Sequence, residues 1–288
     1  MNYPLNKFAL CNELFGNMDL SKAAEISKKA GYDGIEFAPY TVFGSFSPAD
    51  VKQGIKNVKR ALNSNDLAFV GFHWLLVDNS VDARPMSLVS PDKALRDAAL
   101  DRLKLLLSAA GELGGGVLVL GSPKQRGSVP PQSIPEAVGM LRDGLSELGD
   151  YAVSCNSTLL IEALDRSQCD VINTLEEARE LVNAVSSQGL SSMFDFHNCA
   201  DEKENWETLI RKYAAIIKHI HINEWDGGPP GSGTSDYVPA FKAIKEIGFD
   251  GWISMEIFSQ PADAAALVAE ALVFMQKMED LWQKHPVA

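Results

Sequence analysis

The chain has 288 residues, longer than most single domains and suited to a barrel of alternating strands and helices, which needs roughly 250. A net charge of −12 with a pI near 4.9 argues against a polyanion such as nucleic acid as partner. The 46% of hydrophobic residues and a mean hydropathy of −0.06 mark a globular chain, and no apolar run reaches the ~18–20 residues of a membrane span.

The N-terminal MNYPLNKFALCNELFG lacks the charged start, apolar middle and small-residue cleavage site of a secretory signal, so a cytoplasmic location is expected. Strand-like apolar runs then recur: KFALCNEL (7–14), DGIEFAPY (33–40), LAFVGFHWLL (67–76), GVLVLGSP (116–123), STLLIEALD (157–165), SSMFDFHN (191–198), IKHIHINEW (217–225) and GWISMEIF (251–258). Between them lie stretches of helical period, among them DLSKAAEISKKAG, SPDKALRDAALDRLKLLLSAAGELGG, TLEEARELVNAVSSQG and PAFKAIKEIG. Asp19, Ser90 and Thr174 are expected helix starts, with Glu177 completing a capping box, and Gly31, Gly114 and Gly248 are expected helix ends. The longest irregular piece is DNSVDARPMSLVSP (78–91), a loop over the barrel mouth or a surface excursion. An apolar C-terminal helix, DAAALVAEALVFMQKMEDLW, offers a face for the barrel or for a partner such as a second copy in a homo-oligomer. Cysteines at 11, 155, 169 and 199 show neither CxxC nor finger spacing, which speaks for reduced thiols over a disulfide framework or zinc ribbon.

Eight strand-then-helix units in strict alternation predict parallel strands closing into a (β/α)8 TIM barrel that takes in 1–288 as one domain. A doubly wound open sheet is the alternative, but it wants a GxGxxG turn after an early strand, and none is present.

Chemistry in such a barrel comes from the C-terminal strand ends. Charged residues late in apolar runs are therefore informative, and four stand out on consecutive strands five to eight: Glu162, Asp195, His221 and Glu256. A buried carboxylate costs several kcal/mol unless paired, and three of them converging repel one another, a conflict that one divalent cation removes. Three carboxylates and one imidazole suit Mn²⁺, Mg²⁺ or Co²⁺, with Zn²⁺ a weaker fit. His219 shares the inward face with His221 one layer deeper and is expected to hydrogen-bond without ligating. His197 and His73 are candidate substrate contacts, as is the strand-terminal Glu36, whose other reading is a pair with a nearby Lys or Arg. After strand four, Lys124 and Arg126 could hold a phosphate or carboxylate of a small substrate, and Arg166 is a similar candidate; the other reading of these cations is a solvated loop.

Taken in order, GYDGIEF, LVLGSPKQR, IEALDR, FDFHN, HIHINE with PGSG, and GFDGWISMEIF resemble the xylose isomerase-like TIM-barrel superfamily of sugar phosphate isomerases and epimerases, over essentially the whole chain. The intervals from Glu162 to Asp195, His221 and Glu256, which are 33, 26 and 35 residues, are similar to those of the ketose 3-epimerase branch. That resemblance implies a Glu, Asp, His, Glu site, usually for manganese, with Glu162 and Glu256 doubling as acid and base. Three of the branch's substrate-gripping positions differ here: Gln168 stands for a glutamate, Asn198 for a histidine and Gly227 for an arginine.

The expected activity is isomerisation or epimerisation of a small carbohydrate carbonyl compound through a metal-stabilised enediolate. Alternatives are an inosose-type dehydratase on the same site, an apurinic endonuclease-like hydrolase and a non-catalytic sugar-binding barrel. The endonuclease branch implies three zincs and more histidines than the five present, one of which is His285, and it has a histidine where Gly121 and Ser122 stand.

Overall fold

The structure is a computed structural model and describes residues 6–79 and 85–283. Eight parallel strands form a closed barrel in the order β1-β2-β3-β4-β5-β6-β7-β8, with β8 pairing back to β1. In chain order the elements are β1 (Lys7–Cys11), α1 (Leu20–Ala30), β2 (Gly34–Phe37), α2 (Pro39–Val42), α3 (Pro48–Asn65), β3 (Ala68–Phe72), α4 (Lys93–Glu112), β4 (Val117–Leu120) and α5 (Ile134–Ser154). They continue with β5 (Thr158–Ile161), α6 (Leu175–Val185), β6 (Leu190–Asp195), α7 (Trp206–Lys212), β7 (Ile217–Ile222), α8 (Val238–Glu246), β8 (Trp252–Met255) and α9 (Ala264–Gln283). This is the TIM barrel that the alternating pattern predicts.

The strands are shorter than the apolar runs, because ladder pairing stops where each run reaches the rim. Residues 12–14, expected as strand, instead belong to the 3₁₀ turn Asn12–Phe15. Glu162 and Glu256 lie one residue beyond β5 and β8 and extend the ladder only by long bonds, from Glu162 N–H to Leu120 O (3.4 Å) and from Glu256 N–H to Ile222 O (3.4 Å).

Local chemistry sets the helix ends. Asp19 caps α1 by accepting from the Ser21 and Lys22 amides, and Gly31, at φ +106°, closes it. Thr174 caps α6, but the Glu177 carboxylate bonds the Asn173 amide instead of returning to Thr174, so that capping box is half made. The expected start at Ser90 moves to Asp92, whose carboxylate accepts from Ala94 while Ser90 Oγ accepts from the Asp92 amide. A complete capping box occurs at Ser133 and Glu136 of α5.

Most of the apolar core lies between the sheet and the surrounding helices. Val119, Leu160 and Met193 form a separate small cluster on neighbouring strands β4 to β6. The C-terminal helix α9 packs onto α1 and α8 with Val268, Ala271, Leu272 and Met275 buried. Glu279 of α9 pairs with Lys245 of α8 and accepts from the Asn6 amide (2.9 Å), tying the last helix to the residue before β1. Among the described residues no helix is long and apolar enough to cross a membrane. In the 78–91 segment, Asp78 pairs with Arg102 (2.7 Å), and buried Leu88 donates from its amide to Gln125 O (3.0 Å); residues 80–84 lie outside the described residues, as does His285.

Candidate active site

Parallel strands bring their C-terminal ends to one rim, and alternation sends every second side chain inward. Asp195 ends β6 directly opposite His221 of β7, and Glu162 and Glu256 follow the last residues of β5 and β8. All four side chains are buried, and one donor atom from each lies within 4.8 Å of the others. The two glutamates stand at the two ends of this four-strand arc.

Each acid is held. Asn198 Nδ2 donates to Glu162 Oε1 (2.9 Å) and Asp195 Oδ2 (3.3 Å), and the His197 amide donates to Asp195 Oδ1 (2.7 Å). Gln168 Nε2 donates in turn to Asn198 Oδ1 (2.6 Å). Glycine at 121 makes room, since a Cβ there would lie 1.9 Å from Glu162 Oε2. His221 Nδ1 is buried without a hydrogen-bond partner although Glu256 Oε2 is 3.1 Å and Asp195 Oδ2 3.9 Å away.

The electrostatics reflect crowding. Burial, followed by Asp195 and Glu256, holds the Glu162 carboxyl well above the usual carboxylate range, and burial and Glu256 raise Asp195. Burial would raise Glu256 too, but the facing His221 outweighs it and lowers that carboxyl. His221 goes up despite burial, through Glu36 and Glu256. Three carboxylates and a bare ring nitrogen in one buried space form a donor set for a hard or borderline divalent ion.

Above the cluster opens a cavity of about 470 Å³ whose floor includes Glu162, His221 and Glu256. Its walls include the expected His73 and His197. His197 Nδ1 donates to the Trp225 carbonyl (2.7 Å), which leaves Nε2 of a neutral ring as an acceptor. The structure does not bring the four remaining substrate candidates to this cavity. Lys124 is exposed on the turn after β4, and Arg126 is wholly buried there with no hydrogen bond at its guanidinium. Arg166 is exposed and pairs with Glu177 (3.2 Å) and Asp201 (3.3 Å). Glu36 is buried in the barrel wall, and its partners are neither Lys nor Arg: it accepts from His219 Nε2 (2.8 Å) and His221 Nε2 (3.1 Å), so His219 hydrogen-bonds as expected.

Sequence reasoning missed Glu13, Tyr40, Trp74 and Phe258, all of which line the cavity. Glu13 sits in the 3₁₀ turn after β1; its Oε1 meets His73 Nε2 at 2.5 Å, and its Oε2 is buried with no partner. Glu13 stands late in the run KFALCNEL, the same signal that marked the four cluster residues, and could have been found by it. Phe258 fills the space that Gly227 leaves open, where a Cβ would come within 2.1 Å of the phenyl ring.

Eight parallel strands with an acid and imidazole cluster at their C-terminal rim define a TIM barrel with a candidate cation site at its mouth. The family model described as xylose isomerase-like TIM barrel matches residues 24–278, and the chain belongs to that family. It is 24% identical over 260 residues to the fructoselysine 3-epimerase of Escherichia coli O157:H7, covering 88% of this chain and 90% of that protein. It is 22% identical over 278 residues to the 3-dehydro-D-guloside 4-epimerase of Escherichia coli K12, covering 94% and 99%. The crystal structure of a D-psicose 3-epimerase in the presence of D-fructose shares the fold, with a TM-score of 0.79, 20% identity and coverage of 95% and 99%.

Proposed function

We propose that the chain is a metal-dependent epimerase or isomerase of a small carbohydrate carbonyl compound. The observation that carries this reading is the convergence of Glu162, Asp195, His221 and Glu256, whose donor atoms lie within 4.8 Å of one another on the cavity floor. The unpartnered His221 Nδ1 and the space kept free at Gly121 fit a cation there, with Mn²⁺ favoured over Mg²⁺, Co²⁺ and Zn²⁺. When bound, such an ion draws electron density from a substrate carbonyl and so acidifies the neighbouring C–H. Relatives named as 3- and 4-epimerases of sugar compounds support the same chemistry.

Glu162 and Glu256 approach the cavity from two ends of the arc, so one can take the proton from carbon and the other return it on the opposite face, which inverts the centre. Transfer on one face between adjacent carbons gives aldose–ketose isomerisation instead. In the ion-free site burial and the neighbouring acids raise Glu162 whereas His221 lowers Glu256, so the two glutamates differ in how readily they hold a proton. Asn198, braced by Gln168, keeps Glu162 aimed. Tyr40, Trp74, Leu164 and Phe258 supply apolar wall that limits water at the reacting carbon. Glu13, anchored by His73, presents its free Oε2 as an acceptor for a substrate hydroxyl, and His197 Nε2 presents another. Gln168 and Asn198, which stand where the ketose 3-epimerase branch is expected to grip substrate, brace Glu162 and also line the cavity.

The test is turnover of a panel of ketoses, aldoses, their phosphates and inososes with Mn²⁺ added, run in D2O so that exchange at carbon is seen. Glu162→Gln and Glu256→Gln should each reduce turnover by about a hundred-fold or more with circular dichroism unchanged. Near wild-type activity in both variants would defeat the assignment.

A further inference from the structure

Glu36 is a carboxylate with no exposed surface, contributed by β2 to the inside of the barrel. Its hydrogen-bond partners are two imidazoles, His219 Nε2 at 2.8 Å from Oε2 and His221 Nε2 at 3.1 Å from Oε1, while His73 Nδ1 lies 3.3 Å from Oε1 without a hydrogen bond. A carboxylate only accepts, so each hydrogen bond from an Nε2 places the ring's proton on that nitrogen. For His221 the consequence falls on the other side of the ring. With the proton at Nε2, Nδ1 of a neutral ring carries a bare lone pair, and that atom is the one found among Glu162, Asp195 and Glu256 without a hydrogen bond. A lone pair 3.1 Å from a carboxylate oxygen is repulsive unless a positive charge lies between them, either a metal ion or, in the ion-free protein, the second proton of an imidazolium.

We propose that Glu36 is the positioning residue of the centre: by fixing the proton of His221 on Nε2 it turns Nδ1 into a donor for the cation and so sets the affinity of the site. This rests on the reading of Glu162, Asp195, His221 and Glu256 as a cation site. A negative charge behind the imidazole also raises its basicity, which strengthens Nδ1 as a donor. Glu36 reaches His221 from β2, which is separated from β7 by β1 and β8, so the bond spans the barrel interior and fixes the ring from the side away from the acids. His219 occupies the second oxygen and keeps the carboxylate from rotating.

The experiment uses metal-stripped full-length protein and Mn²⁺ alone, with free Mn²⁺ followed by its EPR signal. Glu36→Gln keeps the shape but presents an amide that can donate to Nε2. It should weaken Mn²⁺ binding by roughly 10- to 100-fold and move the His221 proton to Nδ1 in ¹⁵N spectra of the imidazoles. His219→Gln, which leaves the Glu36 to His221 bond in place, should bind nearly as the wild type does. Glu36→Gln with wild-type affinity and an intact fold overturns the inference. If that variant does not fold, Glu36→Asp retains the charge but withdraws it from His221, and unchanged affinity there overturns it equally. A wild-type protein that takes up no Mn²⁺, or takes up as much after Asp195→Asn, fails at the parent reading, an outcome distinct from a tight wild-type site indifferent to Glu36.

Discussion

Glu162 has its place because residue 121 lacks a side chain. Gly121→Ala puts a methyl group 1.9 Å from where Glu162 Oε2 now lies, and the carboxylate must swing away from the other three donors. We expect the variant to fold and to lose at least tenfold in Mn²⁺ affinity, on the order of other losses of a ligand's alignment, as isothermal titration would show. Glu162 also carries a pH signature. Its folded-state pKa lies above the ordinary 4.5, so it favours the protonated form; its stabilising share is present below that value and is lost as pH rises through the raised pKa. His221, also raised, acts in the same direction from its ordinary 6.5 upward. The metal-stripped protein should therefore lose melting temperature from mildly acidic to neutral pH. Glu162→Gln should flatten that fall, and Mn²⁺ should restore stability most at the upper end; a profile that rises with pH in the stripped wild type would contradict the crowding. The four cluster residues were legible because each breaks an apolar run late in a strand, where the solvent-free environment makes a charge conspicuous. Lys124, Arg126 and Arg166 follow strands too, but in turns whose direction no periodicity encodes, and the structure leaves them outside the cavity.

Elements were legible in kind and less so at their edges. Asp19 and Thr174 cap helices as their side chains predict, because a short polar acceptor before an apolar period has little else to do. Ser90 and Asp92 are both competent caps two residues apart, and only the chain's path selects Asp92. The Ser133 and Glu136 box, hidden in the long stretch after strand four, holds the start of the 21-residue α5. Ser133→Ala should reduce stability by about 1 kcal/mol in urea unfolding, with the site untouched. A larger effect belongs to β3, where Gly71 faces the β4 backbone so closely that a Cβ would lie 1.9 Å from the Val117 carbonyl oxygen. The pair β3 and β4 shares only the register Gly71↔Val117 and Phe72↔Leu118, so little ladder is available to absorb a shift. Gly71→Ala should destabilise by about 1–3 kcal/mol or more, measured by thermal and urea denaturation; an unchanged midpoint would mean that the two strands part readily.

At the scale of the molecule, closure of the ring is reinforced from outside by α9. Glu279 joins α9 to Lys245 on α8 and to the Asn6 amide before β1, so one buried carboxylate touches both ends of the barrel's circuit. Glu279→Ala takes this carboxylate away from both Lys245 and the buried Asn6 amide and should reduce stability by about 1–3 kcal/mol, whereas turnover per folded molecule should stay the same. No sequence signal marked this pair, because a Glu and a Lys on amphipathic helices ordinarily face water. The eightfold alternation that announced the barrel says nothing of how its two halves differ inside. From β4 to β6 the interior holds Val119, Leu160 and Met193, while the opposite wall carries Cys11, Glu36, His219 and Ser254, all buried. The few apolar contacts within the ring are cut off from the much larger packing outside it. An inner wall so loosely tied to the folding of the shell is free to change: residues that read a sugar can be exchanged there one at a time, and a lineage could acquire new substrates without first having to rebuild its scaffold.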